Sequence, residues 1–137
     1  MSAETELPLH LQTFLLQHIE TYEQLEVLLL LQKHSSAGWH VRGIAEKLRL
    51  SENAVRDALD ALQERGLTKG GLEPGTRAEY AGGREQVDNV VAELADTYAT
   101  RTLEVMRAMT ANAIARLRAN AAGTFDAVLS GQRKDDC

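Results

Sequence analysis

Five consecutive apolar residues, Val27-Leu28-Leu29-Leu30-Leu31, stand a few positions after a Thr21-Tyr22-Glu23-Gln24 segment. The Thr-x-x-Gln arrangement is a capping box, in which the hydroxyl and the amide side chain satisfy free backbone donors at a helix start. The spacing predicts a helix from there to about His34. Together with Leu25, the five apolar side chains leave this helix almost no polar side. It is stable only if other elements touch it around most of its circumference, so the chain has to fold with this segment at the centre of its core. Ser35, Ser36, Ala37 and Gly38 are expected to end it. The apolar run is far too short to span a bilayer, which excludes membrane insertion.

The elements that surround it follow from the neighbouring periodicities. Leu11, Leu15 and Ile19 recur every four residues, with Phe14 beside them, and predict a first helix over Leu7 to Ile19. Pro8 near its start leaves no helical bond unmade. Beyond the central helix, Trp39, His40 and Val41 are short and partly β-prone, and Ile44, Ala45 and Leu48 predict a third helix of about two turns that stops at Arg49 and Leu50. Ser51 then occupies an N-cap position, and a fourth helix to Arg65 turns Val55, Ala58, Leu59 and Leu62 inward. Gly66 sits where a left-handed C-terminal cap is wanted. Leu67 to Lys69 and Arg77 to Ala81 read as two short strands joined by the turn-rich Gly70 to Thr76, a β-hairpin.

From Arg84 to Ala122 there is neither glycine nor proline. Val87, Val91, Leu94, Tyr98, Val105 and Met109 fall mostly at steps of three and four, predicting one long helix of roughly 55 Å. Its apolar register drifts near Thr100 to Thr102, and the sequence does not decide whether the helix bends there. A second apolar row, Leu103, Met106, Ile114 and Leu117, implies that the far half finds another surface. Gly123 is expected to break the helix, leaving one turn at Phe125, Val128 and Leu129 and a mobile charged tail. The predicted organisation is thus residues 1–83, then a long helix over 84–122, then a short terminal turn and tail over 123–137.

Composition narrows the class. A chain of 137 residues with 44% hydrophobic and 26% charged residues is globular and suits one domain with an appendage. Its single cysteine, Cys137, forms no intramolecular disulfide, and no charged-then-apolar leader opens the chain, so a reducing cytoplasm is expected. The net charge of −5 is unevenly spread. Residues 1–36 hold five acids and one base, whereas residues 37–83 hold seven of each, so the middle third is the least acidic part.

Helix, helix, short strand, helix, tight turn, helix, hairpin is the order of a winged helix-turn-helix, and the predicted fold is mainly α with a small hairpin wing. The residues Gly43-Ile44-Ala45-Glu46-Lys47-Leu48-Arg49-Leu50-Ser51, continuing through Val55, Leu59 and Leu62 to Glu64-Arg65-Gly66-Leu67, resemble the core of the MarR-like winged-helix regulators of bacteria. The match covers about residues 39 to 81, and the long C-terminal helix is similar in placement to the dimerisation helices of such regulators. The resemblance implies a dimeric transcription regulator whose partner is double-stranded operator DNA, with Ser51 to Arg65 entering the major groove. In that reading Ser51 and Asn53 bond phosphate or base edges, Arg56 reaches a guanine or a phosphate, and Arg42, Lys69 and Arg77 clamp phosphates. The homodimer would be closed through Val91, Leu94, Tyr98, Leu103, Met106, Met109, Ile114 and Leu117.

The charge of the fourth helix opposes this. Between Glu52 and Arg65 four acids face two bases, and Asp57, Asp60 and Glu64 form a stripe that is either a solvated outer face or a seat for a basic partner. Arg56 and Asp60, four apart, are expected to pair. The alternative function is therefore a winged-helix adaptor that binds a protein through this acidic helix. A third reading adds a small-molecule pocket lined by Met106, Met109 and Tyr98. Trp39 is expected to seal the core against the wing. His10, His18, His34 and His40 show no metal-ligand spacing, no phosphate loop or nucleophile arrangement is present, and neither a cofactor nor an enzymatic activity is expected.

Overall fold

The computed structural model describes residues 7–34 and 38–135, with side chains as far as residue 121. Six helices and one two-stranded sheet follow in the order α1 (Leu9–His18), α2 (Tyr22–Lys33), α3 (Val41–Leu48), α4 (Glu52–Glu64), β1 (Thr68–Lys69), β2 (Glu79–Tyr80), α5 (Glu85–Thr100) and α6 (Thr102–Asp135). This is a winged helix-turn-helix.

α2 occupies the centre, as its apolar circumference demands. It packs against α3, α4, α5 and β2, and Leu25, Val27, Leu28 and Leu31 lose all contact with solvent. Its capping box forms with a shift. Thr21 Oγ1 accepts from the Gln24 amide at 3.1 Å, while Gln24 Oε1 reaches one residue further back and accepts from the Glu20 amide at 2.8 Å. The expected terminators Ser35 to Ala37 lie outside the described residues.

The α3–α4 turn is closed by Arg49 in the left-handed region (φ 58°), with the Leu50 amide donating to the Ala45 carbonyl at 3.0 Å. Ser51 caps α4, its Oγ accepting from the Ala54 amide at 3.0 Å. After α4, Gly66 adopts φ 76°, the left-handed cap the sequence calls for. In the wing, Thr68 pairs with Tyr80 and Lys69 with Glu79, and Trp39 adds a bridge to Ala78, so the segment before α3 lies along the hairpin's outer edge. Gly71 is obligatory in this turn. At φ 88° an added Cβ would lie 2.7 Å from the Ala78 Cβ.

The single long helix expected over 84–122 is two helices. Arg101 leaves the helical region (φ −131°, ψ 51°) and separates α5 from α6. Threonines flank the break and supply its hydrogen bonds, with Thr100 Oγ1 donating to the Asp96 carbonyl at 3.0 Å and Thr102 Oγ1 to the Tyr98 carbonyl at 2.6 Å. The second bond replaces the backbone donor that a continuous helix would bring to Tyr98. α6 is then free to lie against α1, and Arg116 donates to the Leu16 carbonyl at 2.6 Å. Its backbone continues through Gly123 to Asp135, past the break the sequence predicts there. The side chains of Phe125, Val128 and Leu129, and Cys137 altogether, lie outside the described residues.

Candidate nucleic-acid interface

Three pieces of chain meet on one side of the molecule: the start of α3, the capped start of α4, and the wing turn. Between them lies a concavity of about 270 Å³ lined by His40, Val41, Arg42, Glu52, Arg56 and residues 71–76. Four of the six residues predicted to touch DNA stand at or beside it. Arg42 and Arg56 line it directly, Ser51 immediately precedes Glu52, and Arg77 follows the wing turn and donates through Nε to His40 Nε2 at 3.4 Å. Asn53 and Lys69 are exposed but outside its lining.

Arg56 does not pair with Asp60 as expected. It turns back one helical turn, its Nη2 lying 3.4 Å from Glu52 Oε1, while Arg42 Nε approaches Glu52 Oε2 at 3.9 Å. A glutamate N-terminal to its basic partner by four residues is the more favourable orientation on a helix, which explains the choice. Glu52 thus holds both arginines at once. The sequence carries the signal in the Glu52-x-x-x-Arg56 spacing, but Arg42 joins only because the turn brings α3 alongside. Lys69, on β1, stands directly opposite Glu79 in the hairpin register.

The outward face of α4 is settled by its buried one. Val55, Ala58, Leu59 and Leu62 are buried, so at 3.6 residues per turn Asn53, Asp57, Asp60 and Glu64 fall on the opposite side. All four are exposed. The acids therefore occupy the outer face itself and not its flanks.

Three hydrogen bonds fasten the start of α5 to the wing and to the end of α4. The Tyr80 hydroxyl donates to Asp88 Oδ1 at 2.6 Å, with the Gly83 amide on Oδ2 at 3.0 Å, and Arg84 donates to the Gly66 carbonyl at 2.9 Å. The tyrosine bond, followed by the Gly83 amide, holds the Asp88 carboxyl below its usual range, and burial pushes the Tyr80 phenol up.

The residues assigned to a dimer interface divide into two sets. Val91, Leu94 and Met109 are buried within the chain's own core, and half-buried Tyr98 donates to the Tyr22 hydroxyl at 2.7 Å. Leu103, Met106, Ile114 and Leu117 remain exposed, between 41% and 68%. Their spacing gathers them within about 80° of the α6 circumference, on the side away from Val105 and Met109. Leu9 and Leu16 on α1 and Tyr22 at the start of α2 are also exposed, a contribution from the first elements that periodicity along α6 does not reveal.

Met106, Met109 and Tyr98 do not line one pocket. The methionines line a concavity of about 250 Å³ with Glu20, Tyr22, Thr110 and Ala113, whereas Tyr98 lines a groove of about 550 Å³ between α2 and α5. Trp39 is half-buried against the core beside the wing, its backbone bridged to Ala78 and its ring 5.6 Å from that of His34. Among the described residues, no group of histidine, cysteine and carboxylate side chains could hold a metal ion, and no helix is long and apolar enough to cross a membrane.

No family model matches the chain, and no curated protein matches it. Among solved structures, one described as the structure of a MarR family protein from Bacillus stearothermophilus is similar, with 16% identity, a TM-score of 0.48, and coverage of 88% of this chain and 87% of that one. The winged-helix assignment made above stands on the chain's own element order, turn and hairpin register.

Proposed function

We propose that this protein is a winged-helix transcription regulator that binds duplex DNA as a homodimer in the bacterial cytoplasm. The observation that carries the reading is the meeting of Arg42, Arg56 and the Arg77–His40 pair around one concavity between the start of α4 and the wing. In a winged helix these are the surfaces that approach the phosphate backbone while α4 enters the major groove. The exposed row Leu103, Met106, Ile114 and Leu117 supports a dimer through α6, because a contiguous apolar stripe on a long helix is costly in water and a second copy supplies the matching stripe. Two copies also double a small number of basic contacts.

The test is fluorescence anisotropy of labelled genomic duplex fragments titrated with protein at low and physiological salt. Affinity that falls steeply with salt and persists on a subset of fragments supports the regulator, with Arg56→Ala and Arg77→Ala both weakening it and Asp57→Asn with Asp60→Asn tightening it. A second reading is favoured by the exposed acidic face of α4. In it the protein is an adaptor, and α4 docks on a basic protein surface. Folded, dimeric protein that binds no duplex even at low salt, and whose capture of a basic partner weakens on Asp57→Asn with Asp60→Asn, establishes the adaptor instead.

A further inference from the structure

The DNA reading leaves one contact unexplained: two of the cations it needs are already engaged by a carboxylate of the same surface. We infer that Glu52 occupies the place of a backbone phosphate between Arg42 and Arg56 and sets the affinity of this surface, so that DNA binds by exchanging a phosphodiester for the Glu52 carboxylate. The inference rests on the DNA-binding reading above and deepens it.

The geometry suits an exchangeable stand-in. Each arginine meets a different Glu52 oxygen, Arg42 at 3.9 Å and Arg56 at 3.4 Å, so neither forms the two-bond fork that makes arginine–carboxylate pairs strong. The side chains are 79%, 50% and 44% exposed for Arg42, Arg56 and Glu52, which leaves all three free to turn toward an incoming group. An anion straddled by two guanidinium groups is the arrangement a phosphodiester takes, with its two free oxygens in place of the carboxylate pair. The adjoining concavity of about 270 Å³ has room for it, and the wing residues 71–76 form its far wall. Glu52 is also the first residue of α4, where the helix dipole favours negative charge from either source.

Charge completes the argument. While Glu52 is engaged, its carboxylate offsets one of the two arginine charges and stands as a like charge close to any arriving phosphate. When Glu52 swings out, both arginines face the phosphate. Glu52 differs in this from Asp57, Asp60 and Glu64, whose place on the outer face of α4 makes them a general repulsion on the approach of DNA and not a partner for these arginines.

The experiment compares wild-type protein with Glu52→Gln, Glu64→Gln, Arg42→Gln with Arg56→Gln, and the triple variant that adds Glu52→Gln to that pair. Binding of a labelled mixed-sequence duplex is followed by anisotropy between roughly 50 and 200 mM salt. Glu52→Gln is expected to tighten binding about fivefold at the low end, with the gain shrinking as salt weakens the Glu52–arginine pairs that DNA has to break in wild-type protein, so that the salt slope steepens. Glu64→Gln removes the same charge from the same helix and should give a smaller gain with the slope unchanged. In the doubly arginine-deleted background the Glu52 effect should vanish. Equal gains from Glu52→Gln and Glu64→Gln, or a Glu52 gain that survives loss of both arginines, overturn the exchange while leaving the regulator intact. If no variant binds duplex at all, the regulator reading fails, and the exchange fails with it.

Discussion

Arg65, the residue that follows α4, donates through Nη1 to Gln24 Oε1 at 3.0 Å, across 41 positions of sequence, and so fastens the end of α4 to the start of α2. The same nitrogen reaches the His18 carbonyl at 2.9 Å, and Nη2 meets the Glu20 carboxylate. One guanidinium thus joins the ends of α1, α2 and α4. Arg65→Met keeps the apolar stem and removes these bonds, and is expected to lower unfolding stability by about 1–3 kcal/mol. An unchanged urea midpoint would show that the three helix ends are held by packing alone.

The exposed and buried halves of the α5–α6 apolar set predict opposite outcomes. Leu103→Glu with Leu117→Glu should yield folded monomers by light scattering, because both side chains point away from the core. Leu94→Glu, at a position with no solvent contact, should unfold the chain instead. A double variant that still ran as a dimer would move the interface off the outer face of α6.

Gly71→Ala tests the wing. The added methyl meets Ala78 at 2.7 Å and forces an L side chain to φ 88°, with an expected cost of about 1–3 kcal/mol. Because the Trp39 backbone bridges Ala78, the emission of this single tryptophan should shift with the distortion. Native emission and native stability together would mean that the turn yields without cost.

His18 supplies the pH dependence. Burial above all, then the neighbouring Arg65 and Arg84 charges, hold its pKa below the ordinary 6.5. In the interval between the folded and unfolded values the unfolded chain binds more protons, so stability is lost as the pH falls below 6.5 and is fully present above it. Urea midpoints measured between about pH 5.5 and 7.5 should drop on the acid side for wild-type protein and less for His18→Gln.

Much of this architecture is legible in the chain because the signals are local. Ser51, Thr21 and Gly66 do what their residue types predict, since a cap is decided within four residues. The break at Arg101 lies where the apolar register drifts, but drift does not reveal a break, because apolar spacing records which side is buried and not whether threonine hydroxyls will release the backbone. Spacing does not decide the partner of Arg56 for a related reason: Glu52 and Asp60 both lie four residues from it. His40 enters the site, and Arg42 meets Glu52, through tertiary placement, which no spacing along one helix records. Val91, Leu94 and Met109 were apolar at the right period, and period does not distinguish a chain's own core from a second chain.

The Arg116 to Leu16 bond joins residues 100 positions apart and sets an order on synthesis. When α1 leaves the ribosome, the helix that covers it has yet to be made. α1 and the central α2 both pack against α5, and α1 also against α6, so the core keeps an incomplete roof until α5 and α6 follow. A ribosome stalled after the hairpin would therefore display the apolar faces of α1 and α2 that α5 and α6 cover, and release of those two helices closes them.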